Sequence, residues 1–376
     1  MQITDVRAHH LRVDDPNSSL FDGSYDNCIV IVETDAGITG IGEVESLAPV
    51  IQAIITAKDA HSHARGLRNV LIGMDPTDPE AVWQQMYDAT DYIGRRGVVM
   101  HAIGGIDIAL WDIAGKAAGK PIAELLGGIR HDRLEAYGTI YPLEKSADGV
   151  VRQVHDAMAM NLRHVKLVAD PWWFDDLNLT ALLFRAARKA LGDSGKILVD
   201  AALSYKTADE GLKLYPIYRD ADIHFLEAPL PLDDIEGHAR MAEAGIPLGV
   251  GDLGLTHVNE FIEAMDYMGA MICQPDITMV GGFTGMRKIA RAAAQRGKRV
   301  VPHGYKTNIQ IAASLQFLAS QPNADLLEFS TSKSPLRWQM TNEMLPVDSD
   351  GTVTVPRRAG LGVSLNQQTF EKYLAE

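Results

Sequence analysis

The feature that most constrains the fold is a series of eight short apolar segments in the later two thirds of the chain. They alternate with stretches of helical periodicity, and each has the length and composition of a buried strand. From the second segment onwards a polar residue closes each one, at intervals of 24 to 34 residues. A strand, a helix and two loops occupy about this much chain, so the spacing predicts parallel strand–helix units closed into a TIM-type (β/α)8 barrel. The predicted strands are LEAYGT (134–139), HVKLV (164–168), KILVD (196–200), IHFLE (223–227), PLGVGD (247–252), MICQPD (271–276), RVVPH (299–303) and DLLEF (325–329).

The sequence before and after the barrel predicts two further parts. A hairpin pattern at 29–43 and helical periodicity at 97–119 indicate an N-terminal α+β domain. We therefore divide the chain into an α+β domain over residues 1–125, the barrel over 126–345 and a tail over 346–376. We expect the tail to pack on the N-terminal domain and complete it.

Charge and cysteine content exclude several classes of function. The net charge of −14 argues against binding to nucleic acid or to an anionic membrane, because phosphates would approach against the protein's own field. Cys28 and Cys273 form no CxxC pair, so no disulfide framework is expected. The N-terminus lacks the pattern of a signal peptide. We expect a soluble cytoplasmic protein with a small-molecule substrate.

Three acids, Asp200, Glu227 and Asp252, close three consecutive predicted strands. One acid at such a position is more often the N-cap of the next helix. The carboxyl ends of barrel strands open on one face, however, and three carboxylates gathered there repel one another unless a cation lies between them. An all-oxygen ligand set favours Mg²⁺, and the absence of His and Cys at these positions disfavours zinc.

Four further ionisable residues close other strands of the barrel. Asp276 and His303 belong to neighbouring strands, and a carboxylate that orients an imidazole makes it a competent general base. For His303 alone, a buried structural histidine is the simpler interpretation, and the pairing with Asp276 is what favours catalysis. Lys166 supplies a cation for an anionic substrate, although a salt-bridge role is the alternative. Glu328 closes the last strand.

The order of these motifs resembles the enolase superfamily, in its mandelate racemase-like branch. The resemblance rests on the lysine of the second strand, then VDAA, LEAP, QPD, PHG and LEF. GGIDIALWD (104–112) and GKPIAELLGG (119–128) extend it over nearly the whole chain. SPLRWQM and VPRRAGLGVSLN near the C-terminus are similar to acid-sugar dehydratases of the rhamnonate dehydratase type.

The resemblance implies a metal ion and a base. Asp200, Glu227 and Asp252 would hold Mg²⁺, which stabilises the enediolate formed when a base removes the proton α to a carboxylate. His303 with Asp276 would be that base.

The resemblance also implies how substrate is held. Glu328, in its protonated form, and Lys166 would contact the substrate carboxylate from two sides. The N-terminal domain would cap the barrel, and its loops at 14–27 and 43–49, which are rich in hydroxyl and amide groups, would select the sugar.

Two departures from the family pattern bear on the reaction. The second strand commonly carries Lys-x-Lys, and here the later position is Val168, which cannot act as a second base. Asp252 stands where Glu is usual, which leaves its direct ligation of the metal open. These features favour a one-base dehydratase of an aldonate or aldarate that yields a 2-keto-3-deoxy acid.

Several alternatives remain open at this point. An epimerase or racemase, or a cycloisomerase of a carboxylate substrate, would share the metal and the base. A barrel that binds metal without catalysis is a different class. His61 and His63 form an HxH pair of the kind found in metal-dependent hydrolases, but they lie outside the predicted barrel. We further expect a homo-oligomer that acts on a small acidic sugar.

Overall fold

The protein is described from a computed structural model, which covers residues 1–14, 22–142, 144–169, 171–252 and 254–375. Its N-terminal part is a three-stranded antiparallel sheet, ordered β1-β2-β3, together with five helices. The strands are β1 (Ile3–Arg12), β2 (Asp26–Thr34) and β3 (Thr39–Val44). The helices are α1 (Ala48–Thr56), α2 (Leu67–Leu71), α3 (Pro79–Gly94), α4 (Val98–Ala118) and α5 (Ile122–Leu125). The predicted hairpin is therefore confirmed as β2 and β3.

The long helix α4 packs directly on β3, and glycines permit this close approach. A Cβ atom added to Gly42 would lie 1.9 Å from the carbonyl oxygen of Gly105, so only glycine fits. On its other side α4 contacts the barrel, where a Cβ at Gly104 would lie 2.6 Å from the carbonyl oxygen of Thr278. By length and composition alone α4 could cross a membrane, but 89% of its apolar window is buried inside the protein, as in a core helix. It joins the two parts of the molecule.

The second part is a parallel barrel of eight strands, in the order β10-β9-β8-β7-β6-β5-β4-β11. An isolated parallel bridge between Val300 and Ala324 closes the ring between β10 and the chain leading into β11. The strands are β4 (Arg133–Ile140), β5 (His164–Val168), β6 (Ile197–Asp200), β7 (Ile223–Glu227), β8 (Leu248–Val250), β9 (Ile272–Cys273), β10 (Arg299–Val300) and β11 (Leu327–Phe329). The predicted fold class is confirmed.

Helices cover the outside of the barrel between successive strands. They are α6 (Ala147–Ala159), α7 (Leu177–Leu191), α8 (Ala208–Asp220), α9 (Ile235–Glu243), α10 (Val258–Tyr267), α11 (Gly282–Gln295) and α12 (Asn308–Ser320). Short 3-10 turns stand at Gly23–Tyr25 and Pro171–Phe174. Strands β8, β9, β10 and β11 are shorter than the sequence predicts, with two or three residues each.

The C-terminal tail contacts both parts. The short helix α13 (Pro335–Gln339) precedes the tail, which contains β12 (Thr352–Thr354) and α14 (Gln367–Tyr373). β12 pairs antiparallel with β4 of the barrel, a contact that the sequence does not predict. At the end of the tail, the backbone N–H of Ala375 donates to the carbonyl of His10 in β1 at 2.8 Å, and Phe370 packs edge-on against His9. The tail therefore completes the N-terminal domain and also covers the barrel's first strand.

Candidate active site

Asp200, Glu227 and Asp252 meet at the carboxyl end of β6, β7 and β8. Asp200 and Glu227 are the last residues of their strands, and Asp252 follows two residues after β8 ends. One carboxylate oxygen from each lies within 4.8 Å of the others. In the described parts of the chain, this is the only group of three or more His, Cys, Asp or Glu side chains close enough to hold a metal ion. Asp252 reaches the cluster in spite of its shorter side chain.

The electrostatics of this carboxylate cluster indicate a missing positive charge. Burial is the main cause that raises the pKa of Glu227 well above its ordinary value, and the charges of Asp200 and Asp252 add to the effect despite Lys166. Burial, with the charge of Asp200, raises the pKa of Asp252 to about 6. Three carboxylates gathered at one point, two of them with raised pKa values, fit a hard divalent cation such as Mg²⁺, which would relieve their repulsion.

Lys166 is the cation that the protein itself supplies to this cluster. Its side chain is buried, and its Nζ lies 2.6 Å from Oε1 of Glu227, 2.8 Å from Oε1 of Glu328 and 3.8 Å from Oδ2 of Asp200. These carboxylates hold the pKa of Lys166 well above its ordinary value, although burial opposes them. The lysine therefore bridges the cluster to Glu328.

The surroundings of Glu328 favour the ionised carboxylate over the protonated acid that the family resemblance implies. Burial raises its pKa, but the charges of Lys166 and His303 and the hydrogen bonds it accepts outweigh burial and lower the pKa to about 2. Its Oε1 accepts from the Thr139 hydroxyl at 2.7 Å, and its Oε2 accepts from the backbone N–H of Gly304 at 3.0 Å. With donors on both oxygens, the carboxylate form is the stable one.

His303 and Asp276 form the expected pair. Nδ1 of His303 lies 2.7 Å from Oδ2 of Asp276, so the imidazole donates from Nδ1 and turns Nε2 away from the carboxylate. Burial alone would lower the pKa of His303, but the hydrogen bond to Asp276 and the charges of Glu328 and Asp276 raise it to about 10. These interactions favour the imidazolium form of His303 in the protein without bound ligands.

These residues surround one small cavity of about 40 Å³ at the carboxyl end of the barrel. Glu227 and Asp276 lie behind the cavity wall. The side of the cavity formed by β5 presents Val168, the position where a second base is common in similar sequences. The cavity is lined by Thr139, Tyr141, Lys166, Val168, Asp200, Ala202, Asp252, His303, Tyr305 and Glu328.

Sequence reasoning overlooked two buried residues that hold the site's carboxylates. Nε2 of Gln274 donates to Oε2 of Glu227 at 2.5 Å, and Thr139 donates to Glu328. Gln274 opens the QPD motif, and Thr139 is the last residue of the first predicted barrel strand. Their positions near strand ends were therefore the signal that could have identified both.

The HxH pair lies away from the barrel cavity. His61 and His63 stand in a turn after α1, where Nδ1 of His63 pairs with Oδ1 of Asp91 at 2.9 Å and both side chains are largely exposed. Neither belongs to the carboxylate cluster, so the hydrolase alternative loses its support.

The two loops expected to select substrate are only partly described. Residues 15–21 of the first loop lie outside the described residues. In the second, the carboxylate of Glu45 lies 3.2 Å from Nζ of the buried Lys306, and its backbone N–H donates to the Thr278 hydroxyl at 2.9 Å. This loop is therefore fastened to the barrel beside Asp276.

A capped (β/α)8 barrel with a carboxylate cluster and a histidine–aspartate pair facing one cavity has the construction of an enzyme active site. Residues 149–369 match the family described as enolase C-terminal domain-like, and residues 21–127 match the mandelate racemase/muconate lactonizing enzyme N-terminal domain. The chain belongs to this family, and it is an enzyme of the enolase superfamily.

Characterised relatives span two reactions. The chain is 31% identical to D-galactarolactone cycloisomerase of Agrobacterium fabrum, over 99% of each chain. It is 30% identical to arabinonate dehydratase of Saccharolobus solfataricus, over 91% of this chain and 89% of the relative. Among solved structures, the 3,6-anhydro-D-galactonate cycloisomerase from Zobellia galactanivorans superposes with a TM-score of 0.87 at 27% identity, over 100% of each chain. Sugar acids and their lactones are thus the common theme of the relatives.

Proposed function

We propose that the protein is a dehydratase of a sugar acid of the aldonate or aldarate type, which converts it to a 2-keto-3-deoxy acid. The observation that carries this proposal is the asymmetry of the cavity. His303, with Asp276 behind it, is placed to act as a base on one side, while Val168 on β5 offers no ionisable group where a second base would act. A single base is sufficient for elimination of water.

The protein's own residues would move one proton in this reaction. Nε2 of His303 takes the proton from C2 of the substrate, and the C2–H electron pair forms the C2–C3 double bond as the C3–O bond breaks. The departing hydroxyl takes the same proton from Nε2 and leaves as water, and the resulting enol tautomerises to the 2-keto acid. Asp276 keeps Nδ1 protonated throughout and stabilises the imidazolium. Lys166 is placed to attract the substrate carboxylate.

The carboxylate cluster would hold a divalent cation through Asp200, Glu227 and Asp252. When bound, such a cation would stabilise the negative charge that develops on the substrate carboxylate and, by adding positive charge to the cavity, would bring the pKa of His303 down towards neutrality. The raised pKa values of Glu227 and Asp252 support this assignment.

A cycloisomerase acting on a sugar lactone or anhydro-sugar acid is the second candidate. It is favoured by the 31% identity to D-galactarolactone cycloisomerase over nearly the whole chain. Such a reaction also begins with removal of an α-proton, but it conserves the mass of the substrate, whereas dehydration removes one water.

A screen of sugar acids and their lactones with Mg²⁺, followed by mass spectrometry, tests the proposal. The dehydratase predicts a product lighter by one water that reacts as a 2-keto acid. An isomer of unchanged mass would instead establish the cycloisomerase. If no compound exchanges its α-proton in D2O, the barrel that binds metal without catalysis would be the better description.

A further inference from the structure

The carboxylate of Asp276 is held by four hydrogen bonds, although only one comes from His303. Oδ1 accepts from the backbone N–H of Thr278 and from its hydroxyl, both at 2.7 Å. Oδ2 accepts from His303 and also from Nε2 of Gln310, again at 2.7 Å. Gln310 lies on α12 and is completely buried. The glutamine and the histidine therefore share one oxygen of the aspartate.

The orientation of the Gln310 amide follows from its second partner. Its Oε1 accepts from the backbone N–H of Lys306 at 2.8 Å. A backbone N–H can only donate, so the carbonyl end of the amide must face Lys306 and the NH2 end must face Asp276. Rotating the amide by half a turn would break both bonds, which makes this a directional link.

The N-terminal domain supports this link from the other side. Oε2 of Glu43, at the end of β3, accepts from the Thr307 hydroxyl at 2.8 Å and from the backbone N–H groups of Thr307 at 3.3 Å and Gln310 at 3.1 Å. Glu43 thus caps the first turn of α12 from a different domain. The backbone N–H of Glu45 donates to the Thr278 hydroxyl, which in turn donates to Asp276. The N-terminal domain therefore supports Asp276 on both sides, through Gln310 and through Thr278.

We infer that Gln310 is a positioning residue, which fixes Asp276 and through it the imidazole of His303. Glu43 in turn fixes Gln310, because it binds the first turn of α12 where the N-terminal domain packs on the barrel. The catalytic part of this inference rests on the proposed function. Without the Gln310 donor, Oδ2 of Asp276 is held by His303 alone, so only the Thr278 bonds to Oδ1 still restrict the carboxylate and the imidazole is held less firmly. Small displacements of a base strongly reduce the rate of proton transfer.

Gln310→Met tests the inference, because methionine has a similar volume and lacks the amide. Gln316→Met is the matched control. Gln316 lies on the same helix, is equally buried, and bonds through both ends of its amide, to Ala123 and Pro356 at 2.9 and 2.8 Å, away from Asp276. Gln310→Met loses two side-chain hydrogen bonds and Gln316→Met loses three, the third a longer one of 3.4 Å to the carbonyl of Leu361, so the melting temperature of the control should fall at least as much.

The two variants should differ in turnover. We expect kcat of Gln310→Met to fall by about 10- to 100-fold with KM nearly unchanged, because an ill-placed base slows the proton transfer and leaves substrate binding intact. Gln316→Met should retain kcat. Equal kcat values in the two variants would overturn the inference.

A spectroscopic measurement decides the inference even if no substrate is found. The Nδ1–H proton of His303 should give a low-field NMR signal, identified by its loss in His303→Asn. Gln310→Met should shift this signal, and Gln316→Met should leave it in place. Failure of the screen for sugar acids would remove the proposed function, whereas an unshifted signal in Gln310→Met would remove the positioning role of Gln310.

The contribution of the cap is tested at Glu43. Glu43→Gln keeps an oxygen that can accept from Thr307, whereas Glu43→Leu keeps none. We expect the glutamine variant to retain the His303 signal at its wild-type position and the leucine variant to shift it. If both variants leave the signal unchanged, the cap does not act on the base.

Discussion

Nζ of Lys166 lies 2.6 Å from Oε1 of Glu227, and both side chains are almost completely buried. A buried ammonium thus neutralises part of the carboxylate cluster. Removing one partner of such a pair leaves an uncompensated buried charge, which typically destabilises a protein by about 3–5 kcal/mol. The relationship makes Lys166 important for stability as well as for substrate binding.

Lys166→Met should therefore lower the free energy of unfolding in chelator by about 3 kcal/mol or more. Added Mg²⁺ should raise the melting temperature of the variant more than that of the wild type, because the cluster has lost its internal cation. Lys196→Met, at a partly exposed lysine that pairs with Glu135 at 3.2 Å, is the control and should respond as the wild type does. Equal responses in Lys166→Met and the wild type would contradict the role of Lys166 as the internal cation.

Asp200→Asn should weaken binding of Mg²⁺ by at least about tenfold, because a charged oxygen ligand is replaced by a neutral amide. Isothermal titration calorimetry measures this directly. Asp209→Asn removes an exposed acid that pairs with Arg240 outside the cavity, and it should bind Mg²⁺ as the wild type does. Unchanged affinity in Asp200→Asn would remove Asp200 from the ligand set.

His303→Asn should reduce both dehydration and exchange of the α-proton by about 10²- to 10⁴-fold, the usual contribution of a general base. The fold, followed by circular dichroism, and the affinity for Mg²⁺ should be retained. His224→Asn provides a matched control, because His224 also pairs with an aspartate, Asp325, at 3.1 Å, but does not line the cavity. Wild-type turnover in His303→Asn would end the one-base scheme.

The stereochemistry of exchange should reflect the single base. With Val168 in place of an ionisable group, a proton can be removed and returned only from the side of His303. We expect deuterium to enter C2 in D2O with retention of configuration and no accumulation of the C2 epimer, as read by NMR. An epimer formed at a rate comparable to exchange would show that a second group acts from the other side.

Stability should depend on pH through Asp107, which lies in α4 away from the cavity. Burial raises its pKa to about 7, although Thr284 donates to it from its backbone N–H at 3.0 Å and from its hydroxyl at 2.7 Å. A folded-state pKa above the unfolded value of 3.8 means that the native protein binds the proton more tightly. The stabilisation is complete below that unfolded value and is lost as pH rises towards about 7.

Asp107→Asn imitates the protonated side chain and removes this dependence. Relative to the wild type, the variant should gain free energy of unfolding as pH rises from 4 to 7 and hold the gain above 7, in urea titrations at several pH values. A difference between the two proteins that is constant with pH would contradict the raised pKa of Asp107.

The positions of the strands could be predicted from the sequence because parallel barrel strands are apolar on both faces and end in polar residues that face the cavity. The same rule brings Asp200, Glu227 and Asp252 together in prediction and in the structure. What could not be predicted is which polar atoms pair. Lys166 pairs with Glu227 and Glu328 because the fold buries both carboxylates within hydrogen-bond distance of its Nζ. Those pairs favour the ionised form of Glu328.

Other contacts depend on chain segments that are remote in sequence. The pairing of β12 with β4 and the donation from Gln274 to Glu227 leave no local pattern, because neither changes the periodicity of the segments involved. A lone glutamine in a buried helix, such as Gln310, is likewise indistinguishable in sequence from Gln316, although only one of them contacts Asp276.

The cap that Glu43 provides for α12 also affects the order in which the molecule is assembled. Glu43 leaves the ribosome early, and its partner Thr307 follows 264 residues later. Until then, the carboxylate of Glu43 remains in water and the N-terminal domain lacks one of its contacts. The newly made chain therefore gains this contact, and with it the support of Asp276 and His303, only after α12 has been synthesised. A chain whose synthesis stops before α12 should expose an N-terminal domain that proteases cleave more readily than the same domain in the full-length protein.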